Sequence, residues 1–290
     1  MKDSHHQDRK GLSRRAFLKQ SATVAVGGAL LSPGVHAGES FSQNNLQVWS
    51  CGGLAEAFIP ANKRYREKTG IEIAYTGAFA AALGKSLLGS ATTEVFAGRV
   101  LGLSKKLRAA EKMVYFKPLC YTRYVMVTPK GNPAGISDIR DMAGPGVRVI
   151  LSPKASPPGG KAVTGLLKTA GVLEKAMANA VIKGSCVQRS MEQLLDNQGD
   201  VSVVEYRVTQ MPAFRDQADI IPIPEKFFPP PPLTFTIGVM KHAKDRELAD
   251  HYLNYIISEE GQAFFESAGF IPAISEKGRE MTEKLGVRDV

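Results

Sequence analysis

The chain has few of the residues that build metal and redox sites. Its 290 residues include three cysteines (Cys51, Cys120, Cys186) and five histidines. His5, His6 and His36 fall in the first 37 residues, which leaves only His242 and His251 beyond them. No CxxC pair occurs, so a zinc site of ordinary Cys/His spacing is excluded. An odd cysteine count leaves at least one thiol unpaired within a single chain. The one tryptophan, Trp49, reads as core. Lys and Arg are scattered and not interleaved with aromatics, which excludes a nucleic-acid footprint. No apolar run is long enough to span a bilayer, and the chain shows no internal repeat.

An export signal is present. Ser13-Arg14-Arg15-Ala16-Phe17-Leu18-Lys19 is a twin-arginine motif, followed by a weakly apolar stretch from Ala22 to Leu31 and a small-residue site at Val35-His36-Ala37. Residues 1–37 are therefore expected to be a signal peptide cleaved near Ala37, with the mature protein in the periplasm. Its removal leaves 31 basic against 26 acidic residues, a formal charge of +5 in place of +9. That surplus would draw small anions by its long-range field. Roughly 250 remaining residues suffice for two modest lobes, each with its own core.

The stretch that organises the rest is Cys51-Gly52-Gly53. Before it, Leu46-Gln47-Val48-Trp49-Ser50 alternates as a strand does; after it, Leu54, Phe58, Ala61 and Tyr65 recur at helical spacing. Two glycines between them allow a tight turn. The first N–H groups of the helix then have no intrahelical partner and carry the positive end of its dipole. Such a spot favours an anion.

Strand and helix continue to alternate: Ile71–Tyr75, Ala78–Leu88, Thr93–Phe96, then a helix from Leu101 to Met113 with Lys105, Lys106 and Arg108 on a solvated face. This pattern predicts a parallel sheet with crossover helices, whose ligands sit beyond the carboxyl ends of the strands. Tyr124–Thr128, stopped by Pro129-Lys130-Gly131-Asn132-Pro133, reads as a crossing into a second lobe. That lobe holds a short helix at Ile136–Met142, a strand at Val147–Ser152 and a helix at Lys161–Ala170. Further on come a strand at Asn179–Lys183, a helix from Val187, and strands at Val201–Tyr206 and Asp219–Ile223. Pro229–Pro232 is a stiff tract, and Leu233–Met240 a strand returning to the first lobe, followed by helices at Arg246–Ile257 and Glu259–Ala268. The fold class expected is α/β with two lobes, residues 45–123 plus 235–290 and residues 124–234. Each would be a mostly parallel sheet with flanking helices, and the two would be joined by two hinge strands. A hinge between lobes makes a closing cleft.

The residues resemble the molybdate/tungstate-binding members of the type II periplasmic solute-binding proteins that feed ABC importers. The likeness runs through Val48–Phe58, Leu83 with Glu94-Val95-Phe96, the crossing Val125–Pro133, Ser156-Pro157-Pro158-Gly159, Gly184–Val187 and Tyr206. It ends with Ser258, Gly261-Gln262, Phe265 and Gly269-Phe270. The resemblance implies a small oxyanion held by backbone N–H groups and hydroxyls from both lobes. It also implies an ABC permease in the inner membrane as partner, a monomer, no cofactor and no enzymatic activity. Carried over, the ligand contacts fall at Cys51, Gly52, Gly53, Ala80, Ala81, Pro158, Gly159, Cys186, Val187 and Tyr206, with Tyr206 giving a hydroxyl. The chain departs from the pattern where Gly53 and Ala80 offer no hydroxyl and Pro158 no N–H. A slip of one residue would make Ser50, Thr76, Ser156 or Ser185 the donors.

The cysteines leave alternatives open. Cys51 and Cys186 both precede helices, where the dipole favours thiolate. With Cys120 they could hold a thiophilic metal or metalloid, they could form a Cys51–Cys186 disulfide, or they could be buried filler. A cysteine enzyme with Cys51 as nucleophile needs a base, and His242 and His251 read as surface or packing residues. Arg99 is expected to be exposed. Glu205 and Arg207 flank Tyr206, and an inward Glu205 would oppose an anion.

Overall fold

The computed structural model describes residues 41–155, 159–228 and 233–290. The twin-arginine region and Pro158 lie outside them. Strand β1 (Asn45–Cys51) buries Leu46, Val48 and Ser50 in alternation and passes through a 3-10 turn, Gly52–Leu54, into helix α1 (Ala55–Thr69). The buried face of α1 is Ala57, Phe58, Ala61 and Tyr65, the three-to-four spacing of an amphipathic helix. Gly70 ends it at φ 75°, a left-handed conformation in which a Cβ is disfavoured. Then come β2 (Glu72–Ala78), α2 (Ala80–Leu88), β3 (Val95–Arg99), α3 (Leu101–Ala109) and β4 (Met113–Tyr121).

Strand β4 escapes the sequence pattern, which runs a helix on to Met113. Its buried residues Met113, Phe116 and Leu119 recur every third position. Two irregularities in its pairing with the returning strand shift the alternation, so a bulged strand carries a helix-like period.

The second part comprises β5 (Tyr124–Pro129), a 3-10 turn at Ile139–Ala143 in place of the expected short helix, β6 (Val149–Leu151), α4 (Gly159–Thr169) and α5 (Leu173–Ala178). It continues through β7 (Ala180–Lys183), α6 (Val187–Leu195), β8 (Val201–Glu205), α7 (Tyr206–Thr209) and β9 (Ala218–Pro222). The chain returns as β10 (Thr234–Met240) and finishes with α8 (Arg246–Ile256), α9 (Glu259–Ser267), β11 (Ile271–Pro272) and α10 (Glu276–Lys284).

Two sheets result, ordered β11-β4-β10-β3-β1-β2 and β7-β6-β8-β5-β9. The expected parallel pairing holds for β2-β1-β3 and for β7-β6-β8. The returning and crossing strands β10, β4, β11, β5 and β9 add antiparallel pairs, so both sheets are mixed. Helices cover both faces of each. One core joins β1 to α1, α8 and α9; another sits under α2 and α3. In the second lobe α4 and α5 line one core, and α6 with α7 the other. The two passages between sheets run side by side, since the Thr122 N–H donates to the Leu233 carbonyl at 2.9 Å.

Candidate functional site between the lobes

In each lobe three parallel strands end at a common edge and feed helices there. β1, β2 and β3 lead to α1, α2 and α3; β6 precedes α4, while β7 and β8 lead to α6 and α7. The helix N-termini therefore gather at the carboxyl edges of the two sheets. Side chains from those edges touch, so the edges face each other. Arg99 closes β3 and meets Glu205, the last residue of β8, at 2.6 Å.

Four charged side chains cross this gap in alternation. Arg99 of the first lobe pairs with Glu205 of the second, Glu205 with Arg207 at 2.8 Å, and Arg207 approaches Glu56 of the first lobe at 3.8 Å. Local pairing explains the placement. Tyr124 lies opposite Glu205 in the β5–β8 ladder, and its hydroxyl donates to the Glu205 carboxylate at 3.3 Å while accepting from Arg99 Nη2 at 3.1 Å. The turn after Arg99 is unusual: Val100 sits at φ 76°, a costly position for a β-branched residue. Arg99 also lies over the Phe235 ring, 5.2 Å from its centroid. The expectation of an exposed Arg99 is thus corrected. The residue is 7 % exposed, because the carboxyl end of β3 points into the other lobe.

Burial pushes the Glu205 carboxyl up, but the guanidiniums of Arg99 and Arg207 outweigh it and hold the group down at about 2, against an ordinary 4.5. Burial works against the charged form of Arg99 as well, and Glu205 more than offsets it, so the Arg99 pKa moves further up. A depressed carboxylate stabilises the fold above its unfolded pKa and loses that contribution as pH falls through its folded one. The shift corresponds to something on the order of 3 kcal/mol. We expect the stability difference between wild type and Glu205→Gln, measured by urea denaturation, to be full at neutral pH. It should shrink between about pH 4.5 and about pH 2. A difference that stays constant down to acid pH would show that the carboxylate is not held this way.

The residues singled out from sequence fall as follows. Cys51, Gly52 and Gly53 form the turn at the end of β1, where a Cβ on Gly53 would lie 3.1 Å from the Arg207 guanidinium carbon. Ala80 and Ala81 open α2 behind Phe79, which is 70 % exposed. Gly159 opens α4 and is buried. Cys186 precedes α6, whose first residue is Val187; the Cys186 carbonyl accepts from Ser152 Oγ at 3.0 Å. Tyr206 begins α7 with its ring 3.9 Å beneath the Arg123 guanidinium and lines a cavity of about 800 Å³ on the hinge side. Of the alternative donors, the Ser50 hydroxyl is engaged with Tyr75 at 2.6 Å. Ser156 lies outside the described residues.

The helices at the facing edges also lack side-chain caps. None is present before α1, α2, α6 or α7. By contrast, α8, α9 and α10 are capped by Asp245, Ser258 and Ser275. Helix α5, away from these edges, is uncapped as well.

Of the three cysteine alternatives, buried filler fits Cys51 and Cys120, and the other two do not hold. All three thiols are free, which removes the Cys51–Cys186 disulfide. Among the described residues no group of three His, Cys, Asp or Glu side chains could hold a metal ion, which removes the site proposed from Cys51, Cys120 and Cys186. The reason is placement: Cys51 and Cys120 belong to the first-lobe core and Cys186 is exposed. Nor is Cys51 a thiolate. Burial raises its pKa and outweighs the Gly53 N–H, Arg99 and Arg207 that would lower it.

The two-lobe α/β fold is one shared with solved solute-binding domains. The chain matches the profile of the bacterial extracellular solute-binding proteins over residues 46–271 and belongs to that family. It is 25 % identical to a sulfate-binding protein of Synechococcus elongatus over a 306-residue alignment covering 91 % of this chain and 85 % of the relative. The fold is similar to a substrate-binding domain assigned to a molybdenum ABC transporter of Clostridium difficile, at TM-score 0.69 and 19 % identity, over 79 % of this chain and 98 % of that one. It is also similar to the periplasmic molybdate-binding protein of Azotobacter vinelandii, at TM-score 0.63 and 18 % identity, over 78 % and 98 % of the two chains.

Proposed function

We propose that the chain captures a small oxyanion in the cleft between its lobes and delivers it to an ABC permease in the inner membrane. In this reading it is exported by the twin-arginine route, cleaved near Ala37, and works as a periplasmic monomer. The lobes divide as residues 45–123 plus 235–290 and residues 124–234. The observation that carries the proposal is the set of uncapped helix N-termini on the two facing sheet edges, beside Arg99 and Arg207. Helix N-termini without side-chain caps, with guanidiniums between them, form a receptor for negative charge. Sulfate and molybdate relatives give the size of anion to try first.

A binding role suits the thiols better than catalysis. Cys51 is held neutral, and His251 is engaged with Tyr65 at 2.7 Å. Calorimetric titration of the mature protein with molybdate, tungstate and sulfate tests the proposal. One saturable site for at least one of them is expected; no heat from any of the three would overturn it.

A further inference from the structure

We infer that Arg207 reads the charge of the captured oxyanion, and that Glu56 is its internal stand-in, facing the guanidinium until the anion takes that place. The inference rests on the oxyanion reading above. Arg207 starts in the second lobe and reaches the first, where its Cζ and Nη2 lie 3.1 Å from the position of a Cβ on Gly53. A Cβ there would press on the guanidinium, so glycine gives it room. A guanidinium offers five N–H groups. Among the described residues Arg207 donates a hydrogen bond only through Nε, to Glu205.

Its other partner is poorly made. Glu56 Oε1 stands 3.8 Å from Nη1, too far for a hydrogen bond, and Glu56 Oε2 is buried with no hydrogen-bond partner among the described residues. The two groups are paired by charge without the geometry that makes such a pair strong. An oxyanion presenting two oxygens to the fork of Nη atoms would improve on it. Glu56 also sits in the first turn of α1, where the dipole attracts any anion, free or tethered. Two features let it leave. Its side chain is already 29 % exposed, and Pro60 has no N–H to give the Glu56 carbonyl, so that turn is less firmly braced. Arg99 is held differently, closed on Glu205 at 2.6 Å and on Tyr124 at 3.1 Å.

With Glu56 displaced, Arg99, Arg207 and Glu205 carry one net positive charge. A doubly charged tetrahedral oxyanion gains more from that field than a singly charged one of the same shape. Tungstate and perrhenate form such a pair, and sulfate and perchlorate form another for a smaller site. The test is calorimetric titration of mature wild type, Glu56→Gln and Arg207→Gln with both pairs.

Glu56→Gln is expected to bind the dianion about tenfold more tightly, having lost a competing carboxylate. Arg207→Gln should bind it about a hundredfold more weakly and lower the dianion-to-monoanion ratio about tenfold. A gain in Glu56→Gln cannot come from a damaged fold, and the ratio in Arg207→Gln does not depend on how much protein is active. Weaker dianion binding in Glu56→Gln, or an unchanged ratio in Arg207→Gln, would overturn this inference while wild-type binding keeps the oxyanion reading. No heat from tungstate, sulfate or molybdate with any of the three proteins would remove both.

Discussion

Replacing Glu205 by Gln is expected to lower the unfolding free energy by about 3–5 kcal/mol, the range for removing one member of a buried charge network. Glu205 is 3 % exposed and pairs with Arg99 at 2.6 Å and with Arg207 at 2.8 Å. Gln keeps the shape and the hydrogen-bonding reach but not the charge. The two guanidiniums would then face each other across a neutral amide, both removed from water. In a chain of this size the loss amounts to roughly 10 °C in melting temperature. Urea and thermal denaturation of the variant, each with a reversibility check, measure it. A cost below about 1 kcal/mol would mean that water or side-chain movement already screens the network.

The second large effect is expected at Phe58. The side chain is fully buried, its ring meets Phe265 edge-on at 5.2 Å, and it lies 5.6 Å from the Tyr75 ring. Phe58→Ala should cost about 3–5 kcal/mol, the transfer term plus the cavity left between α1, β2 and α9. Phe58→Leu, which refills most of that space, should cost clearly less. Because α1 carries Glu56 and follows directly from the turn at Gly53, the same cavity would loosen one wall of the cleft. Equal costs for the Ala and Leu variants would show that aromatic contacts, not volume, hold the helix.

Most of the fold was legible because its signals are local. The alternation of Leu46–Ser50, the spacing of Leu54 to Tyr65 and the turn residues at 129–133 each define an element without help from elsewhere. What failed was non-local. β4 shows no strand alternation in the sequence because its exposure is set by bulged pairing with β10, a strand more than a hundred residues away. α10 and β11 carry no strong pattern, as their burial comes from packing against Tyr121 and the second lobe. Of the candidate site, the order of elements was legible and the side chains were not. The turn at 51–53 and the starts of α2, α4 and α6 follow from strand–helix order alone. The charges do not. Arg99 and Glu205 are ordinary at the ends of strands and Arg207 in the short helix that follows, and only the meeting of two sheet edges brings Arg99 to the other two. A usable signal was present all the same, in single charges placed directly after the apolar strands Val95–Gly98 and Val201–Val204.

The unequal exposure of the three cysteines has a practical side. Two lie shielded in the first-lobe core, while Cys186 stands in the open at the head of α6. A maleimide dye added to the native protein would attach at that single rim position, with no engineered residue. The molecule thus comes ready to be made into a fluorescent sensor of the solute it carries.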